Sequence, residues 1–282
     1  MTINTPKHLA FILKIDIKDL KYFDKDENVN KYYYEFERLK KDDNGEIKLD
    51  KNNQPKKRII NPSKGKLKYL QEKINKIILQ SYGLPEYCYG AAKGKDNVKN
   101  AKRHQGKKYK FLTDMRNFFP LITNKMVFEM FRRQGCSPTV ARILTKLTTY
   151  KGHVPQGAPT SSSIANLVFI KTGDKILKLA EEHNITMTTF IDDLTMSSPK
   201  DFKQLIPEII DIIKSDGFII NHKKTYYKIK DPIVTGVIAT QNTLKLPKKF
   251  AKKLHHTQGK SEAQINGLKR YVEKVESMNR RN

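Results

Sequence analysis

The stretch TTFIDDLTMSS, residues 188–198, places two adjacent aspartates between two short runs of apolar and β-branched residues. The runs favour β-strands and the polar pair suits a turn, so the stretch predicts a β-hairpin with Asp192 and Asp193 at its tip. Neighbouring side chains of a regular strand point to opposite faces, and two adjacent carboxylates can share a target only where the chain turns. The pair therefore either simply suits a turn or binds a cation.

The chain around this acidic pair is strongly basic. Among 282 residues, Lys and Arg number 55 against 29 Asp and Glu, a formal net charge of +26. The positive charge is clustered, with eight basic residues against one acid in 89–111, eight against one in 56–76, and eleven against three from 245 onward. Such an excess favours a polyanionic partner, either a nucleic acid or an anionic membrane surface. A solvated lysine coat is the alternative, and the clustering disfavours it.

The membrane is the weaker of the two partners. No apolar run approaches the roughly 18–20 residues that span a bilayer, and the apolar stretch LAFIL near the start is too short for a signal peptide. Cys88 and Cys136 lie far apart without the spacing of a metal site, as is typical of reduced thiols. We therefore expect a cytoplasmic protein without a membrane segment.

Periodicity along the chain predicts an α+β fold, an antiparallel sheet with helices on one face. Strands are predicted around an Asp-Asn-Gly loop in the first 60 residues, at KYKFLTD (108–114), in the two arms of 186–198, at FIIN (218–221) and at IVTGVIA (233–239). Helices are predicted from Leu67 to near Gly83, from Thr123 to Gly135, from Ser137-Pro138 onward, from Thr160 to His183, from Pro207 to Gly217, and in the basic remainder.

A third aspartate ends the strand that precedes the hairpin. Asp114 lies 78 residues before Asp192 (192 − 114). If their strands are neighbours, three carboxylates converge at one corner of the sheet, where each raises the pKa of the others unless a cation is bound. Mg²⁺ prefers a few carboxylates plus phosphate oxygens, and a metal pair about 3.5–4 Å apart serves phosphoryl transfer. The three acids therefore predict a site for two Mg²⁺ ions, with Mn²⁺ as an alternative.

Five boxes, in chain order, resemble those of reverse transcriptases. They are RIINP from Arg58 followed by LKYLQ (the fingers motif), DMRNFFP from Asp114 (the first metal-binding motif), VPQGAPTS from Val154 (the Pro-Gln-Gly motif), FIDD from Phe190 (the aromatic-x-Asp-Asp box) and GFIINHKKT from Gly217 (the lysine segment). FIDD departs from the usual box, which begins with Tyr and Ala. The resemblance covers roughly residues 30–255 and implies a right-hand polymerase with fingers, palm and a short helical thumb.

The same resemblance implies a division along the chain. Residues 1–105 would form the N-terminal region and the fingers, interleaved with the palm. Residues 106–232 would form the palm with the catalytic aspartates. Residues 233–282 would form the primer-grip region and a basic helical thumb.

Two further stretches are similar to signatures of retron reverse transcriptases. They are NAKRH at 100–104 and VTG at 234–236, one before the first aspartate motif and one after the lysine motif. The resemblance implies RNA-directed DNA synthesis on a dedicated structured non-coding RNA, whose 2′-OH is the primer. It further implies a branched RNA–DNA product (multicopy single-stranded DNA) and bacterial anti-phage defence alongside an effector protein.

The resemblance assigns roles around the metal site. Asp114 and Asp192 would be the main metal ligands, and Asp193 a flanking carboxylate. The backbone carbonyl of Met115 would be an additional ligand, since Mg²⁺ accepts any well-placed oxygen. Lys224 would donate a proton to departing pyrophosphate, which requires a lowered lysine pKa. Binding of a phosphate in the nucleic-acid backbone is the alternative role for this lysine.

A second set of residues is expected to bind the incoming nucleotide. Phe119 would clash with a ribose 2′-OH and select deoxynucleotides, whereas Phe118 is expected in the core. Gln156 and Gly157 would shape the pocket, the glycine by allowing close backbone approach. Arg58 would clamp the triphosphate, because a guanidinium fork matches phosphate oxygens. Its competitors, expected to be solvated, are Lys51, Lys56 and Lys57.

The remaining predicted contacts are to RNA. His104, with Asn100 in NAKRH, is expected to contact RNA, although a lone histidine is more often a satisfied structural residue. VTG would allow close approach of an RNA stem, through Val234, Thr235 and Gly236. The thumb would grip an A-form duplex through its backbone, with Lys248, Lys249, Lys252 and Lys253 on one helix face. A plain solvated face is the alternative.

Two other functions are compatible with these residues. One is a template-independent polymerase of the abortive-infection kind, which makes DNA without RNA. The other is a non-catalytic RNA-binding scaffold, against which the retained aspartates at 114, 192 and 193 argue.

Overall fold

The structure is a computed structural model that describes residues 2–23, 25–41, 45–50, 52–229, 231–250 and 259–279. The chain forms two compact units, each built from two separate segments. The first unit comprises Met1–Pro85 and Asn117–Lys171, and the second comprises Glu86–Arg116 and Thr172–Asn282. Within the described ranges, none of the helices combines the length and the apolar character needed to cross a bilayer.

The first unit is mainly helical. Its helices are α1 (Pro6–Leu13), α2 (Ile17–Tyr22), α3 (Asp26–Asn30), α4 (Gly65–Lys73), α6 (Phe118–Leu121), α7 (Asn124–Arg133), α8 (Pro138–Thr148) and the start of α9 (Ser161–Glu182). Helix α4 continues as a π-helical turn, Ile74–Ile78, and a 3₁₀ turn, Leu79–Tyr82. Strands β1 (Phe36–Leu39) and β2 (Lys57–Ile60) pair antiparallel.

Local signals set the helix boundaries of this unit as predicted. The hydroxyl of Thr123 accepts a hydrogen bond from the amide of Met126 at the start of α7. Ser137 does the same for α8, with Pro138 at its first position. These capping hydroxyls satisfy amides that have no partner inside the helix. The predicted starts of both helices are therefore confirmed.

The second unit is built on a four-stranded antiparallel sheet. Its strand order is β4-β5-β3-β6, with β3 (Tyr109–Asp114), β4 (Thr186–Phe190), β5 (Asp193–Ser198) and β6 (Tyr226–Lys228). A small second sheet contains β7 (Ile233–Val234), β8 (Val237–Ala239) and β9 (Leu244–Lys245). The helices of this unit are α5 (Asn97–Arg103), α10 (Ile206–Ser215) and α11 (Glu262–Ser277), together with the end of α9.

Two predicted strands differ from the structure. In FIIN only Ile220 pairs, through an isolated bridge to Met115. IVTGVIA was predicted as one strand and this is wrong, because it folds into the two-residue hairpin of β7 and β8. Thr235 and Gly236 form its turn with φ angles of 45° and 90°, and two consecutive positive φ angles suit the twist of a tight hairpin.

Candidate active site

The three aspartates meet at one end of the four-stranded sheet. Strand β3 pairs with β5 in a register that sets Asp114 opposite Asp193. Asp192 lies in the two-residue turn between β4 and β5, and its carbonyl accepts a hydrogen bond of 2.8 Å from the amide of Met115. The expectation that the strand of Asp114 adjoins the hairpin is confirmed.

Asp114 is held by two side chains from the segment after α10. Its Oδ2 lies 2.6 Å from Nζ of Lys224, and its Oδ1 accepts a hydrogen bond of 3.0 Å from the amide of Asn221. The backbone amide of Asn221 also donates to the Asp114 carbonyl at 2.8 Å. Sequence reasoning missed Asn221, although it lies inside the lysine segment. The carboxylate is thus fixed in orientation and already faces a positive charge.

The site carries more negative charge than its lysine balances. Burial, followed by the charges of Asp192 and Asp114, raises the pKa of Asp193 to about 7. Among the described residues, no three His, Cys, Asp or Glu side chains are grouped closely enough to hold a metal ion. The available donors are nevertheless carboxylate oxygens, which suit a hard cation such as Mg²⁺. A cation at this end of the sheet would neutralise the negative charges of Asp192 and Asp114 that raise the pKa of Asp193.

The ion pair of Lys224 with Asp114 opposes the lowered pKa expected of a proton donor. Partial burial opposes its charge, but the hydrogen bond and ion pair with Asp114 outweigh this and raise its pKa above the ordinary value. A general acid for pyrophosphate requires the opposite direction. The role of Lys224 as a proton donor therefore stays a prediction, since a carboxylate and not a phosphate faces its ammonium.

A segment that sequence reasoning missed supports the aspartate turn. The backbone of Tyr87 and Tyr89 exchanges two hydrogen bonds of 2.8 Å with Thr189 in β4. Beside them, a Cβ added to Gly90 would lie 2.5 Å from the amide nitrogen of Ile191. Ile191 itself has φ of 58°, a conformation that is strained for a β-branched residue. The turn that carries Asp192 is therefore packed directly against a position that accepts only glycine.

The far end of this segment is anchored on α9. The hydroxyl of Tyr87 donates a hydrogen bond of 2.8 Å to Asp174. The ring lies so close to the helix that a Cβ on Gly173 would be 2.5 Å from the Tyr87 hydroxyl oxygen. No local sequence pattern signals this packing, since it arises only when the helix and the sheet meet.

His104 is a core residue and does not contact RNA through its side chain. It is completely buried, and its Nδ1 and Nε2 lie 2.6 Å and 2.7 Å from the hydroxyl oxygens of Ser197 and Thr188. Burial lowers the pKa of His104 to about 3, helped by nearby cations of which Lys107 is the strongest. The expected RNA contact is contradicted, and the alternative of a satisfied structural histidine is the one observed.

We expect His104→Gln to make unfolding less sensitive to pH. The folded pKa is about 3 against an ordinary value of 6.5, so the unfolded chain takes up the proton first as the pH falls. Stability from this residue is complete above about pH 6.5 and is lost towards pH 3, by up to about 1.4 kcal/mol per pH unit. Urea unfolding between pH 7 and 4 should give a shallower dependence for the variant than for wild type or for the exposed-site control His8→Gln. An unchanged dependence would contradict the buried neutral state.

The two retron signatures contact each other in one small core. Asn100 is buried, and its amide donates a hydrogen bond of 3.2 Å to the hydroxyl of Thr235. Asn97 donates to the Thr235 carbonyl at 3.0 Å and to the Tyr271 hydroxyl on α11 at 2.6 Å. The core below them joins both signatures to α11 through Val98, Ala101, Val234, Val237, Ala239, Leu244 and Val275.

This arrangement corrects part of the RNA prediction. The side chains of Asn100 and Val234 are buried in the region that packs against α11, and they are therefore not available to RNA. Thr235 is half-buried and Gly236 is exposed, and the RNA role of both stays a prediction. Lys248 and Lys249 are exposed. Lys252 and Lys253 lie outside the described residues.

The residues predicted to bind nucleotide all belong to the first unit. The amide of Asn61, just after β2, donates to the carbonyl of Gln156 at 2.8 Å. Gly157 has φ of 103°, and a Cβ there would lie 2.9 Å from Cγ2 of Ile60. The strand of Arg58 and the Pro-Gln-Gly loop therefore lie against each other, and the glycine is required by both its conformation and its close contact.

The side chains of this set differ in exposure. Arg58 is exposed, and the buried Oε1 of Gln156 has no hydrogen-bond partner within the described ranges. Phe119 is half-buried with its ring 5.9 Å from that of Phe118, which is buried as predicted. Lys57 forms an ion pair of 2.6 Å with Glu37 on the strand surface. Lys56 is exposed, and Lys51 lies outside the described residues.

Comparisons with known proteins agree with the polymerase fold that the sequence motifs predicted. The profile of the family described as reverse transcriptase (RNA-dependent DNA polymerase) matches residues 40–255. The chain therefore belongs to the reverse transcriptase family. Its right-hand polymerase fold is shared with telomerase from Candida albicans, at a TM-score of 0.51 and 11% identity over 74% of this chain and 49% of that one.

Curated relatives place the chain with the retron type of this family. The Retron Ec86 reverse transcriptase of Escherichia coli is 32% identical over 216 residues, 72% of this chain and 66% of that protein. The Retron Se72 reverse transcriptase of Salmonella heidelberg is 33% identical over 64% of this chain and 49% of that protein. The chain thus spans between about half and two thirds of the length of these relatives.

Proposed function

We propose that this chain is the RNA-directed DNA polymerase of a retron. The observation that carries the proposal is the register of β3 against β5, which sets Asp114 opposite Asp193 and beside the turn of Asp192. Three carboxylates at one sheet end, in a chain of net charge +26, suit metal-assisted chemistry on the phosphates of a nucleic acid. The family match and the retron relatives support the same activity.

Asp114, Asp192 and Asp193 would hold two Mg²⁺ ions, or Mn²⁺, with the carbonyl of Met115 as an additional ligand. When bound, such ions activate an attacking hydroxyl and stabilise the leaving oxygen at phosphorus. Side chains of the protein would orient these metal ligands. Asn221 orients the Asp114 carboxylate by a hydrogen bond from its side-chain amide, and its backbone amide donates to the Asp114 carbonyl.

Lys224 is assigned to the departing pyrophosphate. Its ammonium lies 2.6 Å from Asp114, at the same end of the sheet where phosphates would be handled. As a cation it contacts phosphate oxygens without any change in pKa. Its role as proton donor requires that bound substrate lower the pKa that Asp114 now raises.

The incoming deoxynucleotide is assigned to the first unit. Arg58 would clamp its triphosphate, and Gln156 would shape the floor of the pocket. Gly157 admits the ligand close to the backbone. Phe119 would exclude a ribose 2′-OH by its ring.

We expect Phe119→Val to admit ribonucleotides. Removing the ring opens space where a 2′-OH would otherwise clash, so the preference for dATP over ATP should fall by about 10²-fold, the discrimination that a steric pocket supplies. The measurement is kcat/KM for each nucleotide on one RNA template. Phe36→Val, at an exposed ring of the same unit, is the matched control. Unchanged discrimination in Phe119→Val would show that the Phe119 ring does not exclude ribonucleotides.

The proposed template is a dedicated structured non-coding RNA. Its 2′-OH would prime synthesis, which gives a branched RNA–DNA molecule, the multicopy single-stranded DNA. An effector protein and a role in anti-phage defence in the bacterial cytoplasm complete the proposal. The retron relatives support the choice of a retron RNA as template. The net charge of +26 and the exposed Lys248 and Lys249 support the binding of RNA.

The test is a reaction of purified protein with dNTPs and Mg²⁺, with and without an RNA template. The proposal predicts DNA complementary to the RNA and no product without it. Product in the absence of RNA would favour the abortive-infection kind of polymerase, and no product in either reaction would favour a binding scaffold. Sequencing the nucleic acid that copurifies should reveal a short DNA joined to one structured RNA.

A further inference from the structure

A buried glutamine on α4 joins three segments of the first unit. Gln71 has no exposed surface, although glutamine is usually a surface residue. Its side-chain oxygen accepts a hydrogen bond of 2.6 Å from the hydroxyl of Ser63. Its side-chain nitrogen donates to the hydroxyl of Tyr33 and to the carbonyl of Leu147 in α8, both at 2.7 Å. The oxygen and both hydrogens of this amide therefore have partners.

Ser63 and Tyr33 lie at the base of the β1–β2 pair. The two residues form an antiparallel bridge beyond the pairing of Phe36 with Ile60. An isolated two-stranded sheet is only marginally stable in water, so its position depends on contacts at such a base. Gln71 holds both chains there, and its bond to α8 ties them to the helical part of the unit.

The same helical segment contacts the second stretch predicted to bind nucleotide. Asn75 lies four residues after Gln71, in the π-helical turn that follows α4. Its Oδ1 accepts a hydrogen bond of 2.6 Å from the hydroxyl of Ser163, in the first turn of α9 just after the Pro-Gln-Gly loop. Gln71 and Asn75 thus link the base of the β1–β2 pair and the end of this loop to one helical segment.

The β1–β2 pair carries the side chain that is predicted to bind the triphosphate. Arg58 lies in β2, five residues before Ser63, and its side chain is exposed. We infer that Gln71 is a positioning residue, which holds β2 where Arg58 can reach a phosphate group of the incoming nucleotide. A buried polar network whose members are satisfied makes the segments around it rigid. This role of Gln71 rests on the proposed function for the assignment of Arg58 to the triphosphate.

The first test measures single-turnover addition of one deoxynucleotide to a primed RNA template at increasing dNTP concentration. Gln71→Met keeps the size of the side chain and removes all three hydrogen bonds. The half-saturating dNTP concentration should rise about 10-fold, while the rate at saturation changes by less than about 3-fold, because ground-state binding by Arg58 is lost. Ser63→Ala removes one of the three bonds and should raise this concentration about 3-fold, which keeps the test decisive if Gln71→Met folds poorly.

Two comparisons separate positioning from lost stability. Val127→Ala removes part of a buried side chain of α7 and none of these hydrogen bonds, so it should lower thermal stability and leave the half-saturating concentration unchanged. Adding Gln71→Met to Arg58→Gln should raise this concentration by less than about 2-fold, because a residue that acts through Arg58 has no effect once the guanidinium is gone. A further increase of about 10-fold in the double variant would overturn the inference.

Amide hydrogen exchange gives a readout that does not depend on activity. The backbone amides of Phe36–Leu39 and Lys57–Ile60 should exchange at least about 10-fold faster in Gln71→Met than in wild type, and close to the wild-type rate in Val127→Ala. Unchanged exchange in Gln71→Met would overturn the inference alone. So would an unchanged half-saturating concentration in Gln71→Met alongside an increase in Arg58→Gln. No increase in Arg58→Gln would instead show that the proposed triphosphate role of Arg58 is wrong, and Gln71 would then have no nucleotide-binding side chain to position.

Discussion

We expect Asp114→Asn to lose RNA-templated DNA synthesis by about 10³-fold or more while the variant still folds and binds RNA. The substitution keeps the shape of the side chain and removes one negative charge from the sheet end where Asp193 lies opposite. Metal-dependent stabilisation of charge in phosphoryl transfer is worth several kcal/mol, which corresponds to this loss in rate. The measurement is single-turnover addition of one deoxynucleotide to a primed RNA template.

The control for this variant is Asp211→Asn. It makes the same chemical change at an exposed position of α10, in the same unit as Asp114. Activity close to wild type is expected there. Extension by Asp114→Asn at a rate within about 10-fold of wild type would remove the carboxylate from the proposed chemistry.

The second large effect is expected from Gly90→Ala. The added Cβ would lie 2.5 Å from the nitrogen of Ile191 and 2.8 Å from the carbonyl carbon of Phe190, and backbone atoms cannot rotate away. The turn that carries Asp192 would have to shift. Displacement of a catalytic group by about 1 Å costs roughly 10²-fold in rate, so extension should fall by that factor or more.

Overpacking at this contact should also reduce stability, by about 1–3 kcal/mol. Gly267→Ala is the matched control, because it adds the same methyl group on α11 where nothing lies within 4 Å. That variant should keep its activity and be at least as stable as wild type, because Ala is favoured over Gly inside a helix. Wild-type extension by Gly90→Ala would show that the turn is not positioned by this segment.

The sequence predicted those parts of the fold that local chemistry decides. Thr123 and Ser137 start helices because their hydroxyls satisfy free amides, and that signal needs no tertiary partner. The hairpin of residues 188–198 follows from alternation and a polar turn. The pairing of Asp114 with Asp193 adds one long-range assumption, that two strands are neighbours, and the structure confirms it.

Tertiary packing decides the features that the sequence did not predict. His104 lies in a basic stretch that suggests a surface, yet it is buried between two hydroxyls of the sheet. Asn100 is polar and was therefore expected to contact RNA. Its side chain is instead buried and donates a hydrogen bond to the Thr235 hydroxyl. The role of Gly90 depends on an approach to Ile191 across 101 residues of chain (191 − 90), which no local pattern encodes.

The carboxylates at the end of β3 and at the hairpin turn are proposed to hold the catalytic metal. Electron paramagnetic resonance of Mn²⁺ can detect this metal, with protein assembled on an RNA template, a chain-terminated DNA primer and the next deoxynucleotide. We predict tight Mn²⁺ binding by wild type and a loss of at least one bound ion in Asp192→Asn, with Asp211→Asn unchanged. Equal Mn²⁺ binding by wild type and Asp192→Asn would show that the Asp192 carboxylate does not hold the metal.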